Sequence, residues 1–319
     1  MILIKSNADD YSTTQVVKWL VHFNADFLRL NNTTLLKDLR VQDGIISFVY
    51  KNKKVVLNNV SKYWYRRGRW DTFSRKQLAQ IQDKKLHRYL NFFNKEVERD
   101  VTSIIEKSLA ENALNSYKTS SNINKLDVLD SCKTLDIQTP ETLVTNSKAI
   151  LTSFVSKHTE VITKAVNNLD PYIHTNVFAD LMTKKITTET LDKLPDTFNM
   201  SLFQNLVEKQ FEIRTFFLID TFYSMAIFSQ NDEQTKIDFR NYNLKSPNRC
   251  VPFTLPKPLE TKLRKLLKIY QLNSASLDII YTKEDEYSFL EINPIGQYDM
   301  VSKPCNYYLD AEIAKYLTS

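Results

Sequence analysis

A mixed α/β (α+β) fold in two or three domains is what this 319-residue sequence predicts. Three observations carry the prediction. The chain opens on a strand-helix-strand pattern, an apolar series then keeps helical spacing over residues 76–115, and two short apolar strands near the C-terminus face each other across a polar turn.

Taken in order, Ile2, Leu3 and Ile4 read as a strand, Ser12 and Thr13 as the cap of a helix through Val16, Trp19, Leu20 and Phe23, and residues 27–30 as the next strand. Residues 45–50 and 55–57 flank Lys51-Asn52-Lys53-Lys54 as a hairpin. Tyr63-Trp64-Tyr65-Arg66-Arg67-Gly68-Arg69-Trp70 mixes aromatics with arginines, as a stacking surface would. A strand end whose arginines hold a carboxylate or phosphate fits it better. Leu86, Leu90, Phe93, Val97, Val101, Ile104 and Ile105 line one long amphipathic helix, broken at most once, with a stripe suited to core or to a partner subunit. Polar residues 118–122 mark the first boundary.

Beyond it come a helix at 124–126, an extended strand after Pro140, a helix over 147–155 and a strand over 161–166 with Lys164 in its middle. A lysine in a buried strand is costly without an anion, which makes Lys164 a phosphate-ligand candidate. Residues 170–194 are polar and hairpin-like, a mobile or peptide-contacting segment. Glu212 and Arg214 share a face of strand 211–219, where an ion pair on a solvated sheet face is the plain alternative to a functional role. Ile237-Asp238-Phe239-Arg240 repeats the pattern of a short strand ending in arginine, and residues 259–270 form a helix.

The last strands are Leu277-Asp278-Ile279-Ile280 and Phe289-Leu290-Glu291-Ile292-Asn293-Pro294. An antiparallel pair brings Asp278 near Glu291 and Asn293, which are two apart and share a face. Three hard oxygen donors there suit Mg²⁺ together with substrate phosphates. The alternative is a turn started by Asn-Pro and an edge aspartate facing water.

Composition narrows the functions. With 42% hydrophobic residues the chain buries a sizeable core, and no run approaches the ~18 apolar residues of a membrane helix. Met1 to Lys5 is too short for a signal-peptide apolar region, so a soluble cytoplasmic protein without a membrane partner is expected. The net charge of +6 is spread along helices with matching acids, which disfavours nucleic acid. Cys132, Cys250 and Cys305 lack disulfide or zinc spacing. Only three glycines occur, so neither common glycine-rich phosphate loop exists.

In order, Lys125, Thr142-Leu143-Val144-Thr145-Asn146, Lys164, Gln204-Asn205-Leu206-Val207, Glu212-x-Arg214, Arg240, Asp278 and Glu291-x-Asn293 resemble the ATP-grasp ligases. Asp10-x-Ser12-Thr13, Tyr63 to Gly68 and the tail Phe289 to Gln297 with Val301 to Tyr308 resemble the peptide-maturing branch, the graspetide (microviridin-type) synthetases and their grasp-with-spasm subgroup.

The resemblance implies an ATP-grasp fold with an N-terminal α/β pre-ATP-grasp domain (1–120), a central α+β domain (121–203) and a C-terminal antiparallel-sheet domain (204–319). It implies a cytoplasmic homodimer that uses ATP and Mg²⁺ to phosphorylate Asp or Glu side chains of a precursor peptide and to close esters with Thr or Ser, or amides with Lys. Lys125 and Lys164 would contact phosphates, Gln204, Asn205, Leu206 and Val207 would form the adenine hinge, and Glu212 would hold ribose. Asp278, Glu291 and Asn293 would ligate Mg²⁺, while Arg214 and Arg240 would stabilise the transferring phosphoryl group. In the absence of a glycine-rich lid, Thr175, Thr183, Lys184 and backbone would close on the phosphates. Asp238, His174 and Glu233 are the candidates for a base at the acceptor hydroxyl. The alternatives are a ligase forming an amide on a protein terminus or small amino acid, and a non-catalytic ATP- or peptide-binding protein.

Overall fold

The computed structural model describes every residue except 33, 122, 167–171, 175–176, 180–182, 233 and 242, and describes 172–174 and 177–179 by their backbone. It divides into two compact units: Met1–Asn122 with Gln271–Ser274 and Gln297–Ser319, and Ile123–Tyr270 with Ala275–Gly296. Position 203, the expected end of a central domain, falls inside the strand Thr197–Asn205.

The first unit is built on a four-stranded parallel sheet in the order Phe27–Asn31, Ile2–Ser6, Lys62–Tyr65, Ala113–Leu114. The sequence pattern gives the first two strands correctly. The helix between them, Tyr11–His22, starts one turn earlier than its hydroxyl pair suggests, because the Asp10 carboxylate accepts from the Thr13 amide at 2.7 Å and caps it. Its apolar face, Val16 and Leu20, is fully buried. The hairpin Ile45–Tyr50 with Lys53–Val56 forms as expected, its turn at Lys51 and Asn52 in the left-handed region. A third strand, Lys37–Gln42, pairs with it and escapes pattern reading because it is polar and exposed.

The long helix is Lys84–Leu109, preceded by a short one at Arg75–Ala79, so the expected single break lies at residues 80–83. Tyr63, Trp64, Tyr65 and Trp70 are all buried, which removes the stacking-surface reading. Tyr63 and Trp70 instead donate to the buried Glu106 of the long helix at 2.7 and 2.8 Å. The other reading of that stretch fits: Arg66 and Arg67 lie 3.8 and 3.2 Å from the Asp10 carboxylate.

The second unit holds two larger sheets and an antiparallel two-stranded pair, Tyr172–His174 with Val177–Ala179, within the segment expected to be hairpin-like. One larger sheet runs Lys184–Lys185, Val161–Lys164, Thr197–Asn205, Thr142–Ser147, antiparallel throughout. Lys148–Val155 packs beneath it, where Leu151 and Phe154 meet Val161 and Phe203. The other runs Arg249–Phe253, Thr221–Phe228, Lys209–Leu218, Ser274–Thr282, Tyr287–Asn293. Leu263, Leu266 and Leu267 of the helix Lys257–Ile269 are buried. Residues 237–240 form a turn rather than the expected short strand, because Asp238 folds back onto Arg240. No helix among the described residues is long and apolar enough to cross a membrane.

Candidate active site

Strands Ser274–Thr282 and Tyr287–Asn293 pair with Asp278 opposite Glu291 and Ser276 opposite Asn293. The ladder then skips Leu290, so that Ile279 meets Phe289; the extra residue is a β-bulge beside the carboxylates, which re-aims side chains locally. Asn293 Nδ2 donates to Asp278 Oδ2 and to Glu291 Oε1, both at 3.1 Å. The three oxygen-bearing side chains expected together are together.

Four cations surround them. Arg214 Nη1 reaches both oxygens of Asp278 at 2.5 Å, and Lys125 Nζ lies 3.0 Å from Glu291 Oε2 and donates to the Ala165 carbonyl at 3.1 Å. Lys164 ends its strand opposite Leu202 and feels Glu291 and Asp278, with Lys125 and Arg240 opposing. Burial draws the Lys164 ammonium down to about 8 against the pull of Glu291. For Glu291, burial works upward, yet Lys125 and Lys164 outweigh it and hold the carboxyl at about 2. Burial, ahead of the attraction to Arg214, keeps Asp278 above the ordinary carboxylate range. Two carboxylates buried side by side repel, so an added cation would be welcome between them.

Glu212 and Arg214 lie on one face of Lys209–Leu218, as the alternation predicts, but the face is buried and they do not pair with each other. Arg214 takes Asp278; Glu212 takes Lys209 at 2.5 Å and the Ser229 hydroxyl at 3.1 Å. Burial pushes the Glu212 carboxyl up to about 7, although Lys209 pulls it down. Lys209 also donates to the Ile237 carbonyl at 3.2 Å, tying Glu212 to the turn that carries Arg240. Nothing in the sequence pattern singles out Lys209, since it precedes the strand's alternating run.

A cavity of about 400 Å³ is lined by nine of the twelve expected site residues: Lys164, Gln204, Asn205, Leu206, Val207, Glu212, Arg240, Asp278 and Glu291. Lys125, Arg214 and Asn293 stand behind this wall and hold its carboxylates. Ile162, Leu206, Ile213 and Ile280 add an apolar lining. The Gln204 side chain donates to the Thr142 hydroxyl at 2.8 Å, and the Leu206 amide donates to the Glu160 carbonyl at 2.9 Å, which fixes the chain segment at the cavity edge.

Of the three candidate bases, the His174 side chain and Glu233 lie outside the described residues, as does the lid residue Thr175. Asp238 is gripped by Arg240 at 2.9 and 2.6 Å. Burial works upward on its carboxyl, but the arginine wins and lowers it, making Asp238 a poor proton acceptor. Thr183 and Lys185 line the cavity from the other sheet.

The fold and this cavity define the class: nearly the whole chain has the ATP-grasp fold, in the form carried by peptide-modifying ligases. One similar structure is an RiPP-associated ATP-grasp ligase of Chryseobacterium gregarium, solved in complex with ADP and a leader and core peptide. It is 23% identical with a TM-score of 0.83, over 99% of this chain and 94% of that one. Another is macrocyclase MdnC of Microcystis aeruginosa MRC bound with precursor peptide MdnA, 25% identical with a TM-score of 0.81, over 100% and 99% of the two chains. The ATP-grasp ligase PsnB, complexed with minimal precursor, Mg and ADP, shares the fold at 15% identity and a TM-score of 0.72, over 99% and 96%. No family model and no curated protein matches the sequence.

Proposed function

We propose that this protein is an ATP-dependent ligase that activates Asp or Glu side chains of a ribosomal precursor peptide and closes them onto Thr or Ser as side-chain esters, a lysine acceptor giving the amide. The observation that carries this reading is the single cavity in which Lys164, Glu212, Arg240, Asp278 and Glu291 converge. Structures similar over the whole chain hold ADP and precursor peptides, which supports both substrates. In the same reading the two larger sheets of the second unit are the two ATP-grasp subdomains, and the enzyme is a cytoplasmic homodimer that takes neither nucleic acid nor membrane as partner.

The donor set fits Mg²⁺: two carboxylates opposite each other in register, with an amide between them. Among the described residues no group of three or more His, Cys, Asp or Glu side chains could hold a metal, and the third donor here is Asn293. Bound there, Mg²⁺ would neutralise charge on the ATP phosphates. Lys125 and Lys164 would bind the same phosphates from the side of Glu291. The backbone of residues 205–207 would face adenine, Gln204 would anchor that segment through Thr142, and the ionised Glu212 would accept from ribose hydroxyls.

Phosphoryl transfer asks mainly for positioning and charge compensation, which Arg240 and Arg214 would supply. The peptide carboxylate attacks the terminal phosphorus and the bond to the ADP oxygen breaks. The acceptor hydroxyl then attacks the acyl carbon, phosphate leaves, and the hydroxyl proton goes to phosphate or solvent, so each ring removes one water from the peptide. Because the acyl-phosphate is a strong electrophile, orientation matters more than a dedicated base.

Co-expression with a peptide rich in Thr and Glu tests the proposal. The expected product has lost one water per ring and regains it in mild base; an unchanged peptide mass overturns the reading, and a base-stable loss moves the linkage to amide.

A further inference from the structure

Arg240 sits in a stretch with no regular structure of its own. Residues 229–248, between the strands Thr221–Phe228 and Arg249–Phe253, form no helix or strand among the described residues, and the Arg240 side chain is half-exposed. Loops of that length inside a compact unit are uncommon and usually functional. Hydrogen bonds hold this one. The Thr235 hydroxyl donates to the Ser229 carbonyl at 3.0 Å and Gln230 Nε2 to the Lys236 carbonyl at 3.3 Å, which ties the loop to itself, while Thr183 meets Asp238 from the other sheet. Lys209, at the start of Lys209–Leu218, ties the loop to the cavity wall: its ammonium reaches both Glu212 and the Ile237 carbonyl.

These contacts close into a ring. Lys209 and Ser229 donate to the two oxygens of Glu212, the Ser229 carbonyl accepts from Thr235, and two residues further on the Ile237 carbonyl accepts from Lys209. Lys209, Glu212, Ser229 and Thr235 are all buried, where such bonds reinforce one another and a lost partner is costly. A counter-charge for Glu212 would need only one contact. An ammonium has three donors, and here two of them fix a carboxylate and a main-chain carbonyl relative to each other. We infer that Lys209 is a positioning residue, which sets the turn at residues 237–240 against Glu212 so that ribose recognition and the guanidinium that meets the terminal phosphate are aligned by one side chain. The positioning role rests on the functions proposed for Glu212 and Arg240 and adds the register between them.

Calorimetric titration in Mg²⁺ with two ligands tests it: ADP, which lacks the terminal phosphate, and a non-hydrolysable ATP analogue, which has it. Lys209→Met also alters Glu212, but ribose is common to both ligands, so that effect cancels in the ratio of their affinities. The ratio of analogue to ADP affinity is expected to fall roughly tenfold in Lys209→Met, the scale of one hydrogen bond to a charged group. Arg240→Ala is expected to lower it at least as far, and the double variant no further than Arg240→Ala, because the two side chains act as one unit. A wild-type ratio in either single variant, or a further tenfold fall in the double, overturns the positioning role. Should Lys209→Met fold poorly, Lys209→Met with Glu212→Gln removes both charges and strands neither. Its ratio is then read against Glu212→Gln alone: the same fall is expected, and equal ratios overturn the role. The readout needs no peptide. A protein that binds both ligands but closes no ring fails the proposed chemistry while the ratio still decides on Lys209, and one that binds neither ligand overturns both.

Discussion

Arg214 meets both oxygens of Asp278 inside the protein, so neither charge can be removed without stranding the other. Asp278→Ala leaves a buried guanidinium uncompensated and is expected to cost about 3–5 kcal/mol of stability. Asp278→Asn and Glu291→Gln keep the shape and hydrogen-bonding groups. Both are expected to cost less stability than the alanine, Asp278→Asn still leaving Arg214 without its counter-charge, while ligase turnover falls by on the order of 10²–10³-fold, the scale seen when one preorganised electrostatic contact is lost. Wild-type turnover in either variant would remove the metal assignment.

Lys209 supplies a pH prediction. The Glu212 carboxyl stands at about 7, raised from its ordinary 4.5 by burial, so the folded state holds its proton more tightly than the unfolded chain. Its contribution to stability is therefore present below the unfolded value and is lost as pH rises towards 7. With Glu212 in its proposed role as acceptor for ribose hydroxyls, nucleotide binding runs the other way: it needs the ionised form, and affinity for ADP should strengthen as pH passes about 7. Lys209→Met removes the ammonium that opposes burial. Calorimetric titration of ADP should show affinity near pH 7 reduced roughly tenfold for each pH unit by which the Glu212 midpoint moves up. Affinity should recover at higher pH; a loss that is the same at every pH would make Lys209 merely structural. Asp278, Glu291 and Lys164 could be read from sequence because charge inside apolar strands is conspicuous. Lys209 could not, since a lysine at a strand start looks like any surface lysine until the fold closes over it.

At the scale of elements, the bulge at Leu290 and the packing of Gly296 hold the site in register. A Cβ on Gly296 would run into the Ser276 side chain and come within 2.8 Å of the Ser276 backbone nitrogen. Ser276 is the strand partner of Asn293, so the clash acts directly on the carboxylate pair. Gly296→Ala is expected to cost about 1–3 kcal/mol, as overpacking does, and to lower turnover by displacing Asn293. Unchanged denaturation and turnover would show that the strand gives way freely. Strand and helix periodicity located most elements here, including the C-terminal pair and the long helix. It failed where tertiary burial decides. The aromatics of the stretch at 63–70 are core, two of them on Glu106, rather than a stacking surface, the Glu212 and Arg214 face is buried rather than solvated, and residues 237–240 are bent by a local Asp238 to Arg240 contact that no periodicity encodes.

At the scale of the whole molecule, the parallel sheet of the first unit and the paired sheets of the second follow the ATP-grasp arrangement that the ordered motifs imply. Most of those motifs lie in or at the end of strands of the second unit, Lys125 at a helix start and Arg240 in a turn being the exceptions, and nine of the twelve residues line one cavity. Peptide contacts leave no comparable pattern, since a surface that binds an extended chain needs neither fixed spacing nor buried charge.

The central claim is that the cavity couples ATP cleavage to water loss from an acidic peptide, and one measurement tests it most directly. Purified protein with Mg²⁺, ATP and a Thr- and Glu-containing peptide is followed for ADP release and, in the same samples, for peptide mass. One ADP is expected for each water lost, with both signals lowered together by on the order of 10²–10³-fold in Glu291→Gln. Peptide that binds without releasing ADP, or ADP released with no change in peptide mass, would contradict it.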